Sequence, residues 1–518
     1  MINKIIDKLK NPTNILFLIV VLIGLVLRVF GLNWGMPLLL HADEPVIAEQ
    51  ASYLITKNTK EPTYFGHPNH VSIYLSKFAY KTFYFSKYLG KDFKKTFEEN
   101  RFEFYYLSRL IVAVLGTGCI VLAFLIGNCF GSLAGLAAAV MFAIFPLFVT
   151  HSHYATSDIP LVFFTLIVLF GCLKFFKTSK KIFLFLAVVG LALSVSEKYP
   201  GIINGLMIFL VIIKKYFSDI KKLLLVIRNL FITFLLSMLT VAPYLIIRFD
   251  KVIKSFINEA RTEHLGIKVL GFWGNLKYYL DIYFDNTGVI MAIYFMIGLI
   301  FLVKNKKYEY LLLGIGAIYW VMLSKIPLHW ERWGLPMYIT PILITAIGLQ
   351  AVINYVKKGD ILVWLSGILA CITIVCLFMR NDFNLKKLTA KDTRVLALEY
   401  LEENNINKNN SIYEGYTPFA IGDKGNTKYN LNELKNKNIK YLIFSSMLYD
   451  RYLKNDNKKY ENNRIFYKTT SKNKIVKDFK AFCNITFMKS NFPEFEMIKE
   501  KVDNKCVVGP NIKVLLNK

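Results

Sequence analysis

Two adjacent carboxylates and a histidine, His41-Ala-Asp43-Glu44-Pro45, stand a few residues beyond the first long apolar run of this 518-residue chain. Ionisable groups at a membrane edge are costly and tend to mark a site. One carboxylate there can act as a base toward a hydroxyl. Its neighbour, turned about 100° away on a helix, would cap, orient or meet a cation. A third carboxylate lies in His151-Ser-His153-Tyr-Ala-Thr-Ser-Asp158-Ile-Pro160. Three cations accompany them: Arg109, Lys198, and Arg332 within His329-Trp-Glu331-Arg332. Arginine and lysine are suited to stabilising the charge that develops on a departing phosphate. His41, His67, His70, His151, His153, His329 and Glu331 are candidates for the vicinity of an acceptor or a metal, and the metal itself is unknown.

Each cluster has a plainer reading. Asp43 and Glu44 could cap a helix opening at Pro45, and Ser157 or Asp158 before Pro160 is an equally good helix start. Any one of the three cations could be snorkelling to lipid headgroups. Two histidines at i, i+2 are weak as metal ligands. Three cations beside two acidic sites on one side favour a shared cavity.

The elements that must position these groups follow from composition. The chain is 54% hydrophobic with a net charge of +28, and its mean hydropathy is +0.40. Apolar runs near the ~20 residues a bilayer requires occur at roughly 14 to 33, 105 to 127, 132 to 150, 159 to 176, 182 to 196, 200 to 213, 226 to 247, 284 to 303, 309 to 323, 335 to 353 and 361 to 379. This predicts about eleven transmembrane helices. A Pro200-Gly201 pair could also merge the fifth and sixth into one kinked helix. The first run is too long for a secretory signal core and no small-residue cleavage site follows it, so it is expected to remain as a helix.

Short basic clusters (Lys4 through Lys10, Lys177 with Lys180-Lys181, Lys214-Lys215 with Lys221-Lys222, Lys304 with Lys306-Lys307, and Lys357-Lys358) fall together if the N-terminus is cytoplasmic. The same assignment puts all seven histidines, with Asp43, Glu44, Asp158, Glu197, Lys198, Glu331 and Arg332, outside. The positive charge then reads as topology plus a lysine-rich tail, with no nucleic-acid partner.

Three outer segments remain. The loop at about 34 to 104 carries amphipathic stretches around Val46 to Ile55 and Val71 to Leu89, suited to interfacial helices. The segment at about 248 to 283 mixes Arg248, Lys251 and Lys254 with Trp273, Tyr278 and Tyr279, as expected at headgroup level. The tail, from about 381 to 518, turns Lys/Asn-rich. Strand-like runs at 440 to 444, 505 to 508 and 512 to 516 alternate there with a helix-like Thr393 to Glu403, predicting a small extracytoplasmic α/β domain after a transmembrane domain of residues 1 to 380. Among the seven cysteines no metal-like pair occurs. A Cys483 to Cys506 disulfide in the tail is an open pairing.

Taken in order, the acidic pair after the first span, Arg109-Leu-Ile-Val-Ala-Val-Leu-Gly116 at the second, the turn at Asp158, Lys198-Tyr-Pro-Gly201 and the His329-Trp-Glu-Arg332 loop resemble the polyprenyl-phosphate-sugar glycosyltransferases of the C-type (GT-C) fold. The subgroup is the one holding protein O-mannosyltransferases and the lipid A aminoarabinose transferase. The tail runs Asp392-Thr-Arg-Val-Leu-Ala-Leu-Glu-Tyr-Leu401, Ile412-Tyr-Glu-Gly415 and Ser445-Ser-Met-Leu-Tyr-Asp-Arg-Tyr452 look like the outer domain of bacterial and archaeal members. The resemblance implies an all-α polytopic membrane protein of the cytoplasmic membrane. It would move one sugar, with inversion, from a polyprenyl-phosphate donor to a hydroxyl acceptor (protein, lipid or envelope polymer) on the outer face. It also implies Asp43 as base with Glu44 as its neighbour, Asp158 as the second acidic position, Arg109, Lys198 and Arg332 at the donor phosphate, and a divalent cation near Asp43 or Asp158 as an open requirement. The late loop matches the family only loosely. A transporter or flippase would instead carry charges at mid-span and internal repeats with broken helices. A non-catalytic scaffold would make Asp43 and Asp158 replaceable.

Overall fold

Every expected apolar run becomes a helix in the computed structural model, which describes residues 12–36, 38–259, 262–305, 309–355, 361–420, 425–482, 485–487, 498–500 and 506–517. In chain order, α1 is Pro12–Val29, followed by α2 Pro45–Thr56, α3 His70–Lys87, α4 Phe93–Glu99 and α5 Arg101–Gly127. Next come α6 Ser132–Ile144, α7 Pro146–His151, α8 Asp158–Thr178, α9 Lys181–Glu197, α10 Gly205–Tyr216 and α11 Ile220–Val241. The short α12 Tyr244–Ile247 and α13 Phe249–Glu259 lead into α14 Gly271–Asn305, α15 Glu309–Lys325, α16 Leu335–Tyr355 and α17 Ile361–Thr389. Among the described residues eight helical stretches are long and apolar enough to cross a membrane. The shorter α6, α9 and α15 supply the remaining counterparts of the eleven runs.

Several boundaries differ from expectation. The run at 132 to 150 is two helices, because Phe145 is extended (ψ 115) before Pro146. Pro200 and Gly201 separate α9 from α10 by a 3-10 turn, Tyr199–Asn204, instead of kinking one helix. α14 starts at Gly271 and is interrupted at Gly288 (φ 79), so the second outer segment is shorter than expected. α17 continues to Thr389 and carries the bundle past residue 380. Close helix approach uses glycine: a Cβ on Gly348 of α16 would meet the Tyr294 carbonyl of α14, and would lie 2.8 Å from the Gly298 amide.

The interfacial stretches also fold as helices. α2 and α3 contribute Ala48, Ala51 and Tyr80 to a small core with Phe97, Phe104 and Tyr105. α13 exposes Phe249, Ile253, Phe256 and Ile257 and buries no residue. This is the pattern of a helix that rests on a lipid surface.

The tail holds a four-stranded sheet in the order β2-β3-β8-β4, from Ser411–Tyr413, Tyr441–Ser445, Ile512–Leu516 and Ile475–Phe479. β2 pairs parallel to β3, and β8 runs antiparallel to both β3 and β4. Side chains alternate across a strand. Thus Leu442 and Phe444 face one apolar layer with Phe466 and Tyr467, while Ile443 and Val514 face the other with Ala397 and Leu401. Burial on both faces explains the unbroken apolar run Tyr441-Leu-Ile-Phe444. The helix Thr393–Glu403 coincides with its expected span, β1 (Lys391–Asp392) pairs in parallel with β7 (Val507–Val508), and β5 (Ile485–Phe487) pairs antiparallel to β6 (Ile498–Glu500). Cys506 is disulfide-bonded; Cys483 lies outside the described residues, and Cys119, Cys129, Cys172, Cys371 and Cys376 carry unbridged thiols.

Arg394 donates to the Leu40 carbonyl at 3.2 Å and Asn455 to the Gly266 carbonyl at 3.0 Å. These contacts seat the α/β domain on the end of the bundle that carries Asp43.

Candidate functional site

The turn His41–Glu44 is held by its own backbone, with the Asp43 amide donating to His41 Nδ1 at 3.3 Å. Pro45 then opens α2, but Glu44 makes no side-chain cap. Asp43 instead ion-pairs with Arg332. The capping reading fails at α8 as well, where Ser157 caps nothing and Asp158 Oδ1 accepts from Lys198 Nζ at 2.7 Å. Its other oxygen lies 4.0 Å from Arg332 Nε. The result is a contiguous row of alternating charge: Asp43, Arg332, Asp158, Lys198. The side chain of Asp158 is 4% exposed and that of Asp43 45%, so the row opens at Asp43.

Each member is placed by a helix terminus. Lys198 follows α9 in extended conformation. The preceding Glu197 is fully buried, accepting from the Ser72 amide at 2.6 Å and the Ser72 hydroxyl at 2.9 Å, which ties α3 to the end of α9. Arg332 sits in the 3-10 turn Glu331–Gly334 ahead of α16. Burial alone would raise the Asp43 carboxyl, but the Arg332 guanidinium and His41 outweigh it and hold it below the usual carboxylate range.

Glu44 and Arg109 form a separate unit, in which the second carboxylate of the adjacent pair meets a cation. Arg109 Nε and Nη2 each reach Glu44 at 2.7 Å, Nη1 donates to the Leu32 and Trp34 carbonyls at 2.6 and 2.7 Å, and Glu44 also accepts from the Ala155 amide at 2.9 Å. Both side chains are 0% exposed. With its fork committed to one carboxylate and two carbonyls, Arg109 has no face toward a donor phosphate, and Glu44 has no face toward an acceptor. The pair fastens α5 to the turn after α1 and to the turn before α8.

The histidines divide. His41 lies against the Tyr154 ring at 4.6 Å, and burial, opposed by Glu44 and Asp43, holds it below the usual imidazole range. His151 is buried, pushed down to about 3, with Nε2 at 3.9 Å from Glu331 and neither ring nitrogen hydrogen-bonded. His67 is pushed down to about 4, first by burial and then by Lys198; Glu259 stands 3.8 Å away. These three border the charged row. His153 bridges the Val149 and Phe30 carbonyls at 2.8 Å each and is structural. His70 is enclosed with Phe65 and Tyr74, and His329 packs on Tyr278 at 4.5 Å. Neither joins the carboxylates.

Three aromatic contributors escaped sequence reasoning. Tyr154 contacts Trp34, His41 and His151, and its place inside the His151-Ser-His153 motif was the available signal. Trp333 presents its ring 5.9 Å from Lys198 Nζ. Tyr416, from the α/β domain, comes within electrostatic reach of Arg332, and nothing in the sequence announced it. A cavity of about 190 Å³ lies beyond Tyr154, bounded by Trp34, Asn384, Asp392 and Arg394.

Among the described residues no three His, Cys, Asp or Glu side chains gather as ligands, and Arg332 stands between Asp43 and Asp158.

Residues 18–252, which contain Asp43, Glu44, Arg109, Asp158 and Lys198, match the family model of dolichyl-phosphate-mannose-protein mannosyltransferases. No curated protein matches the chain. Among solved structures, the chain is similar to the oligosaccharyltransferase of Archaeoglobus fulgidus in complex with Zn and sulfate, at TM-score 0.51 and 13% identity over 85% of this chain and 70% of that one. ArnT from Cupriavidus metallidurans aligns in its apo state at TM-score 0.49 and 14% identity, over 72% of each chain. Its undecaprenyl phosphate-bound form aligns at 0.48 and 13%, over 72% of each chain.

Proposed function

We infer that this chain, which has the GT-C fold of polyprenyl-phosphate-sugar glycosyltransferases, transfers a single sugar with inversion from a polyprenyl monophosphate to an acceptor hydroxyl at the outer face of the plasma membrane. The observation that carries this reading is Arg332 standing between Asp43 and Asp158, with Lys198 on the second oxygen of Asp158.

Two cations beside a carboxylate that opens outward suit a reaction in which phosphate leaves as a hydroxyl attacks. In the resting arrangement Arg332 weakens Asp43 as a base, because the guanidinium stabilises the carboxylate. A donor phosphate at Lys198 and Arg332 gives the guanidinium a third anion to serve, and Asp43 regains basicity. The acceptor O–H then passes its proton to Asp43 as its oxygen bonds to the anomeric carbon. The bond from that carbon to the phosphate oxygen breaks, and its electron pair leaves with the lipid phosphate, held by Lys198 and Arg332. No acid is needed at the leaving group. Asp158 touches neither sugar nor acceptor in this scheme; it orients Lys198 and Arg332. Tyr154 and Trp333 supply aromatic surfaces suited to a sugar ring.

The test offers membranes containing the protein a panel of radiolabelled polyprenyl-phosphate sugars, with and without chelator, and follows label into lipid and protein fractions. Transfer by the parent that is lost in Asp43→Asn is the expected result. Absence of transfer from every donor, or equal transfer by Asp43→Asn, overturns the reading. Reporter fusions in the 38–100 segment test the face: a cytosolic location would exclude it.

A further inference from the structure

Arg28 is a fully buried arginine near the end of the first span, and no carboxylate pairs with it among the described residues. A buried charge without a counter-ion is expensive unless fixed dipoles solvate it. The dipoles come from the break between α6 and α7. In a helix each carbonyl accepts from the amide four residues on. Pro146 has no N–H to offer Phe142, and the extended backbone at Phe145 takes the following amides away from Ala143 and Ile144. Side chains from two distant helices replace them. Arg28 Nη2 donates to the Phe142 carbonyl at 2.7 Å and Nη1 to the Ala143 carbonyl at 3.0 Å. Asn381 of α17 donates to the Ile144 carbonyl at 2.6 Å.

Space for the guanidinium is provided on both sides. A Cβ on Gly116 of α5 would lie 3.0 Å from Arg28 Nε, and one on Gly24 of α1 would lie 3.4 Å from Nη1. The far end of the same segment is tied to the same stretch of chain: His153 meets the Phe30 carbonyl at 2.8 Å, two residues after Arg28. Between these two anchors run α7 and the turn that delivers His151 and then Asp158.

We propose that Arg28 and Asn381 are positioning residues: by holding the three carbonyls that Pro146 leaves open, they set the direction of α7 and so the place of His151 and Asp158 beside Lys198 and Arg332. The catalytic consequence rests on the proposed transfer, but the conformational claim does not.

Hydrogen exchange on the full-length protein in detergent reads the turn directly, comparing the parent with Arg28→Met, Arg28→Lys and Asn381→Leu. Amides of residues 149–156 are expected to exchange about tenfold faster in Arg28→Met, with Arg28→Lys intermediate, while the interior of α8 stays at the parent rate. Asn381→Leu, the milder change, is expected to show the same local pattern with smaller amplitude and carries the test if Arg28→Met does not fold. An unchanged turn, or acceleration spread evenly over the bundle, would overturn the proposal. In transfer assays the turnover of the variants should fall in the order in which exchange rises. A parent inert toward every donor would sink the transfer reading while leaving the exchange result interpretable.

Discussion

Arg332 and Asp43 are 289 residues apart in the chain and meet as an ion pair at the mouth of the site, with Asp158 4.0 Å behind the guanidinium. One cation thus serves two carboxylates, of which the inner is buried and the outer is open. Such sharing lets a single anion arriving at Arg332 change the state of Asp43.

Removing the base is the most direct probe. Asp43→Asn should lower kcat by about 10² to 10⁴, the usual contribution of general base catalysis, while binding of polyprenyl phosphate is retained. Single-turnover transfer and lipid-phosphate binding measured on one preparation separate the two effects. Loss of binding together with loss of turnover would place Asp43 at the donor instead.

Arg332→Gln should move the acidic limb of the kcat/KM profile to higher pH. The sign follows from the causes: Arg332 and His41 together hold Asp43 below its ordinary range against burial, which acts upward. Without the guanidinium the upward influence dominates, so the carboxylate must be deprotonated at a higher pH to act. A pH–rate profile with an unmoved acidic limb would remove Asp43 as the titrating base.

Glu44 and Arg109 should behave as a structural pair. Glu44→Gln and Arg109→Met each leave a buried partner unpaired and should cost about 3–5 kcal/mol, whereas Glu44→Leu combined with Arg109→Met should recover much of that loss. Thermal unfolding in detergent checks the order. Single variants that unfold like the parent but lose donor binding would return Arg109 to the phosphate.

The α/β domain carries its own pH dependence. Glu414 is fully buried, accepting from the Ser445 amide and the Tyr467 hydroxyl, and burial pushes its carboxyl from the usual 4.5 up to about 8. Because the folded state holds this proton more tightly than the unfolded chain, its stabilising contribution is complete below about pH 4.5 and is lost as the pH rises toward about 8. The full span is on the order of 5 kcal/mol. Glu414→Gln should abolish the slope, which thermal unfolding of parent and variant between pH 5 and 9 would reveal as converging curves. Parallel curves would mean that Glu414 ionises normally.

By itself the sequence determined the class of the molecule and the charged candidates for its site. Runs of some twenty apolar residues can only be satisfied as helices in a bilayer, and charges excluded from those runs collect where the helices end. This made Asp43, Asp158, Lys198 and Arg332 legible as candidates before any partner was known. The unbroken apolar run Tyr441-Leu-Ile-Phe444 likewise made a strand of the outer sheet legible. What only the tertiary structure decided was who pairs with whom. Asp43 and Glu44 are neighbours in sequence, yet one opens to a cleft and the other is sealed against Arg109, because adjacent side chains diverge and their surroundings come from α5, from the turn before α8 and from the loop ahead of α16. Arg28 was hidden for the same reason: its partners are carbonyls set free by a proline on another helix. Pairings of this kind depend on how helices cross, and no local pattern in the chain encodes a crossing.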